Sequence, residues 1–174
     1  MPDIKAAEVI AELSPEEGAD IVEEMDSDEA ADLLQDLEEE KKEQILEEME
    51  PEDRAEAEEL LSYPEETAGG IMVPDFFALP EETTAAEAIR HLQTAADIAM
   101  AFYVYVINEH GHLVGVVSLR QLVICAPKTR LSDLMEPDAI RVRPSVDREE
   151  VAKMVARYNI LAVPVVNEAN KLLG

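Results

Sequence analysis

Basic residues, cysteine and long apolar runs are all scarce in this chain, and each scarcity excludes something. Lys and Arg together number 14 against 40 Asp and Glu, which leaves a net charge of -26 over 174 residues. A single cysteine, Cys125, forms no internal disulfide and no cysteine-rich zinc cluster, which fits a reducing compartment. Its plain reading is a small apolar residue on a helix face. There is no tryptophan. No run of about 18 apolar residues occurs, so nothing in this sequence reads as a membrane-spanning helix. Met1-Pro2-Asp3-Ile4-Lys5 leads straight into an acidic helical pattern and is not a signal peptide. Catalytic motifs are missing too. Ser118 lacks a GxSxG context, Cys125 has no evident base, and there is no glycine-rich phosphate loop, so an enzyme is not expected.

The acids that are present are unevenly spread. Residues 1–62 hold 25 acids against four bases (Lys5, Lys41, Lys42 and Arg54), whereas residues 63–174 hold 15 against 10. Nucleic acids and anionic membranes both need basic patches, so the first third repels them. Its dense negative charge suits cations, or simply a solvated helical face.

Two repeats organise the chain. Val104-Tyr105-Val106-Ile107-Asn108-Glu109-His110-Gly111-His112-Leu113-Val114-Gly115 returns 59 residues later as Val163-Pro164-Val165-Val166-Asn167-Glu168-Ala169-Asn170-Lys171-Leu172-Leu173-Gly174. The first copy continues into Val116-Val117-Ser118-Leu119-Arg120-Gln121-Leu122, and the second stops at Gly174. This suggests one unit in two copies, the second incomplete, and therefore a piece of a larger protein.

The second repeat has a period of 12 residues and fills residues 14–61. Met25, Leu37, Met49 and Leu61 close its units, and Ile21, Leu33, Ile45 and Ala57 share a column. At about 100° per residue, 12 residues rotate an apolar stripe by roughly 120° per unit. One continuous helix would spread its apolar face over all sides. Short separate helices avoid this, and the start signals agree. Ser14, Pro15 and Glu17 form a capping-box pattern, Asp26 and Glu29 repeat the logic, and Pro51 stands where Pro15 does. A superhelix of four or five helices is expected. Its least marked boundary is Glu38–Lys42, where two helices could fuse.

At Tyr63-Pro64-Glu65-Glu66-Thr67-Ala68-Gly69-Gly70 the texture changes, and Gly-Gly reads as a hinge. Strands are expected at 76–79, 103–108, 113–118, 140–142 and 162–166, with helices at 84–96, 119–124 and 147–158. Val151, Met154 and Val155 are placed inside. The expected fold is α+β. An all-α superhelix (1–62) and a hinge linker (63–71) precede a tandem pair of β-α-β-β-α units (72–134 and 135–174), the second truncated.

This pattern resembles the CBS domain pair. The linker sharpens the resemblance. Tyr63, Glu66, Thr67, Ala68, Gly69 and Met72 are similar to the signature between the N-terminal helical domain and the CBS pair of the MgtE magnesium transporters and channels. The resemblance covers nearly the whole chain. It implies a homodimer through the CBS domains, on the cytoplasmic face of the cell membrane, that senses Mg²⁺ and gates the protein's own transmembrane pore domain, which this sequence lacks. No nucleic-acid partner is expected.

Mg²⁺ takes oxygen ligands, keeps several waters and is usually held by only one or two carboxylates, so it leaves no tight motif. The resemblance assigns ligand roles to Asp28 and Asp32, four apart on one helical face, and to Glu149. Asn159 stands where the family has an Asp, and its amide oxygen would ligate without charge. The resemblance also implies ATP as a second ligand, with Tyr103 and Arg120 at matching positions and Gln121 in place of the Asp that would bond the ribose. His110 and His112 flank Gly111 and read as turn residues, because no third ligand stands at a usual spacing. Two other readings compete: an adenine-nucleotide-binding CBS regulator of another protein, and an acidic scaffold for a basic protein partner.

Overall fold

The computed structural model describes residues 3–95 and 102–174. The chain divides into two compact units, Met1–Val73 and Pro74–Gly174. The first is helical: α1 (Asp3–Glu12), α2 (Pro15–Glu23), α3 (Ser27–Gln35), α4 (Glu39–Glu48) and α5 (Pro51–Leu61). Each helix packs on the next but one, α1 on α3, α2 on α4 and α3 on α5. The 12-residue period is thus read out as a superhelix. Its core gathers Ile10, Val22, Leu33, Leu34, Leu37 and Ile45, among others. Gly18 lets α2 approach α4 closely, since a Cβ there would sit 3.0 Å from Ile45 Cδ1.

The expected capping box at α2 forms. Ser14 Oγ accepts from the Glu17 N–H at 3.3 Å, and Glu17 accepts from the Ser14 N–H at 3.1 Å. At α3 the same sequence pattern fails, because the Asp26 side chain makes no capping bond. The ambiguous boundary is a clean break: α3 ends at Gln35 and α4 starts at Glu39. The Lys41 ammonium donates to the Leu13 carbonyl, tying α4 to the end of α1.

The Gly69-Gly70 step is folded as a turn within the first unit. The Thr67 N–H and hydroxyl both donate to the Pro64 carbonyl, at 3.0 and 2.7 Å, and the Gly70 N–H donates to the Thr67 carbonyl at 3.1 Å. A Cβ on Gly70 would overlap the Pro64 carbonyl oxygen and lie 2.7 Å from Glu65 Cα. Glycine is required here by close approach of backbone.

The second unit holds β1 (Ala78–Pro80), α6 (Ala85–Thr94), β2 (Tyr103–Ile107), β3 (Leu113–Ser118), α7 (Leu119–Ile124), α8 (Leu131–Leu134) and α9 (Arg148–Tyr158). β1 runs parallel to β2, and β2 antiparallel to β3, with Tyr103 opposite Ser118. Val104, Val106, Val117, Leu122 and Leu131 form its core with Ala85 and Ala88 of α6. The α+β class is as expected. The expected end of α6 at Ala96 lies outside the described residues.

The second copy of the strand pair is thinner than expected. Residues 140–142 and 162–166 contribute isolated bridges, Val142 with Val165 and Val166 with Leu172, in place of full strands. Val151, Met154 and Val155 on α9 are accordingly half-buried, and no α9 residue is fully buried. The turns of the two copies do match. Asn108 Oδ1 accepts from the His110 and His112 N–H groups at 2.9 and 3.0 Å. Asn167 Oδ1 accepts from Ala169 and Lys171 at 3.0 and 2.9 Å. Gly111 and Asn170, 59 apart, both adopt the left-handed region at φ of 76° and 62°. The turns also meet each other: the Leu113 N–H donates to the Asn170 carbonyl at 3.0 Å, and Asn170 Nδ2 returns a bond to the Leu113 carbonyl at 2.7 Å.

Candidate functional site

In the first unit Asp28 lies in the opening turn of α3 and Asp32 one turn later. Asp28 is half-buried and Asp32 is exposed. Their spacing of four places both on one side of the helix. In the second unit Glu149 opens α9, where its N–H donates to the capping Asp147 Oδ1 at 2.8 Å. Its carboxylate is exposed and lies 3.6 Å from Lys153 Nζ, a solvated pair that contributes little to stability. Asn159 ends the same helix in a left-handed conformation at φ 51°, a place asparagine tolerates better than most residues. Its position has a structural reason beside any ligand role. Among the described residues there is no group of three or more His, Cys, Asp and Glu that could hold a metal.

The residues matched to a nucleotide site cluster at one corner of the second unit. Tyr103 starts β2 opposite Ser118, and Ser118 is the N-cap of α7, which carries Arg120 and Gln121. The Tyr103 hydroxyl accepts from the Leu161 N–H at 3.4 Å, and Arg120 is exposed. Gln121 is already committed. Its Oε1 accepts from the Ser118 N–H and hydroxyl at 2.8 and 2.7 Å, and its Nε2 donates to the Leu134 carbonyl at 3.4 Å. The glutamine completes a capping box, a role its amide fills through the oxygen. From sequence alone the Ser118–Gln121 spacing already carried that signal.

Two tyrosines are perturbed. Tyr105, 7% exposed and edge-on to Phe76, has its phenol pushed up to about 12, first by burial and then by Tyr103. Tyr63 is raised by burial and by the nearby Glu59.

Comparison with known proteins matches residues 1–66 to the MgtE intracellular N domain, and 68–126 and 131–174 to the CBS domain. A solved structure of the cytosolic domain of the Mg²⁺ channel MgtE, in complex with ATP, is 40% identical, with a TM-score of 0.85 over 99% of this chain and 76% of that one. The chain belongs to the MgtE family. The soluble part of a magnesium transporter superposes with a TM-score of 0.91 at 37% identity, over 97% of this chain and 66% of that one. The magnesium transporter MgtE of Thermus thermophilus is 43% identical across the whole chain. The chain spans 42% of that relative's length. It corresponds to the helical domain and CBS pair of MgtE, regions of a transporter family rather than of an enzyme. No helix among the described residues is long and apolar enough to cross a membrane.

Proposed function

We propose that this chain is the Mg²⁺-sensing regulatory region of an MgtE-like transporter or channel, closing on Mg²⁺ and gating a transmembrane pore outside this sequence. The observation that carries this reading is the charge contrast within the family's order of domains. Residues 1–62 hold 25 acids against four bases, directly ahead of a CBS pair. Two like charges about 5 Å apart repel by roughly 0.8 kcal/mol in water, and by more near a low-dielectric surface. A cation between them reverses the sign. Mg²⁺ binding would draw the acidic helical domain (1–62) and the CBS units (72–134 and 135–174) together across the connecting segment 63–71, and its loss would release them. The ion shifts this equilibrium only as far as it prefers the closed state.

Asp28 and Asp32 on one side and Glu149 with Asn159 on the other are the proposed ligands. Their oxygen donors suit Mg²⁺, and one or two carboxylates with retained water are its ordinary complement. A homodimer through the CBS units, on the cytoplasmic face of the membrane, completes the proposal. Exposed Val123, Ile124 and Leu161 in the second unit, at 75, 69 and 65%, support such an interface. Small-angle scattering with and without millimolar Mg²⁺ tests the reading. The radius of gyration falls on Mg²⁺ addition, and an unchanged radius refutes it.

A second reading, adenine-nucleotide binding beside Tyr103 and Arg120, is favoured by the ATP complex of the related MgtE domain. Against it, Gln121 is engaged with Ser118 and Leu134 and has no charge for a ribose. Calorimetry separates the two readings: micromolar ATP or AMP binding without Mg²⁺-dependent compaction supports the second.

A further inference from the structure

The turn that closes the strand pair occurs twice, and its two copies differ in chemistry. In both, an asparagine side chain takes two backbone N–H groups. Asn108 Oδ1 accepts from His110 and His112 at 2.9 and 3.0 Å, and Asn167 Oδ1 from Ala169 and Lys171 at 3.0 and 2.9 Å. In both, the residue between those donors, Gly111 or Asn170, is left-handed. The second copy thus builds the same turn with alanine and lysine where the first has two histidines. The bonds that make the turn use neither imidazole, so its fold does not call for histidine.

The two imidazoles instead stand beside each other. Their ring centroids are 5.9 Å apart, at an interplanar angle of 65°. Two imidazoles on one ion, each nitrogen about 2.0–2.1 Å from the metal, place their centroids about 5–6 Å apart. The pair is therefore at chelating separation. Asn108 ties down the backbone under both rings, which lowers the ordering cost of binding. Both rings can be reached, since the His110 side chain is 68% exposed and His112 is half-buried. Glu109 Oε1 lies 3.6 Å from His110 Nε2 and adds negative charge beside the pair. Lys171 is the bridge partner of His112, but it is exposed and its ammonium can stay in water. The donor atoms decide the ion. Imidazole nitrogen suits Zn²⁺, Ni²⁺ and Cu²⁺, whereas Mg²⁺ takes oxygen. We propose that His110 and His112 chelate a divalent transition metal of the Zn²⁺, Ni²⁺ or Cu²⁺ class on the turn of the first CBS unit, with water in the remaining positions and Glu109 as the neighbouring counter-charge. None of the proposed Mg²⁺ ligands lies on this turn, so the chain would answer to two kinds of cation at separate places.

The test is a Zn²⁺ titration of the full chain in millimolar Mg²⁺, which occupies carboxylates with an oxygen-seeking ion. The chain has three histidines, so their ring signals can be followed one by one in proton NMR. Zn²⁺ is expected to shift the His110 and His112 signals together and to leave His91 in place. Calorimetry is expected to show micromolar binding of one ion per chain. His110→Gln or His112→Gln weakens it by roughly tenfold or more, while His91→Gln and Cys125→Ser leave it unchanged. The imidazoles make none of the turn's backbone bonds, so both glutamine variants keep the fold, which circular dichroism checks. Binding that survives both substitutions, or that further Mg²⁺ displaces, assigns the ion to carboxylates and overturns the proposal. A shift of one ring without the other overturns the chelate. So does the lack of any micromolar binding to the unaltered chain.

Discussion

In the helical unit, 12-residue repeats cover one another in turn, α1 on α3, α2 on α4 and α3 on α5. In the sheet unit, 59-residue repeats meet at their turns, where Leu113 and Asn170 exchange hydrogen bonds. The first arrangement is local and can be interrupted at any helix. The second depends on contacts far apart in sequence, so its two copies rely on each other. Charge follows the same division. The helical unit solvates a dense acidic surface on short helices, and the sheet unit is nearly balanced. A region built from several short helices can carry repulsive charge that a single shared core would tolerate less well.

Deletions in the two cores should break this comparison most visibly. Leu34, 0% exposed, anchors the helical core, and Leu34→Ala is expected to cost about 3–4 kcal/mol. Calorimetry should show one transition falling while the sheet unit's transition holds. Leu122→Ala, removing a residue 2% exposed in the sheet core, should do the converse. A single transition shifting in both variants would mean that the units unfold as one. Gly70→Ala comes next, because its Cβ meets backbone at Pro64 and Glu65, which has little room to move. A loss of about 2–3 kcal/mol, confined to the helical unit's transition, is expected in urea melts.

A pH effect separates the units at the alkaline end. Tyr105 of the sheet unit ionises at about 12 in the folded chain, whereas an unfolded tyrosine ionises near 10. The raised value means its contribution is complete below about pH 10 and is lost as the pH climbs toward 12. Melts between these limits should show the sheet unit weakening with pH, and Tyr105→Phe should flatten that slope. The smallest effect is a contrast within the helical repeat. Ser14→Ala removes a formed cap and should cost about 1 kcal/mol. Asp26→Ala removes a side chain that makes no capping bond and should be close to silent.

That last pair also shows what the sequence could and could not disclose. Ser14 and Asp26 present the same S/D-x-x-E pattern, yet one forms the box and the other does not, because capping depends on a rotamer that spacing leaves open. The period of 12 made the separate helices readable, since geometry forbids one long amphipathic helix at that period. It left the Glu38–Lys42 break undecided, where no Pro or Ser marks the start. The strand pair 103–107 and 113–118 was legible from alternation and its turn. Residues 140–142 and 162–166 have similar composition but form single bridges, because strand length is fixed by partners rather than propensity. Asp28, Asp32, Glu149 and Asn159 were named through resemblance. Sites with so few carboxylates leave no spacing of their own. Gln121 shows the reverse: a position suggested for a ligand is occupied by a local structural task.

The central claim is that Mg²⁺ draws the two units together through Asp28 and Asp32. Energy transfer between dyes on the two units tests it most directly. With Cys125→Ser as background, Glu48→Cys on α4 and Glu168→Cys in the second turn accept the dyes, both at exposed positions. Transfer efficiency should rise with millimolar Mg²⁺, stay flat with sodium at matched ionic strength, and lose most of its response in Asp28→Asn with Asp32→Asn. No change with Mg²⁺, or an equal rise with sodium, would contradict it.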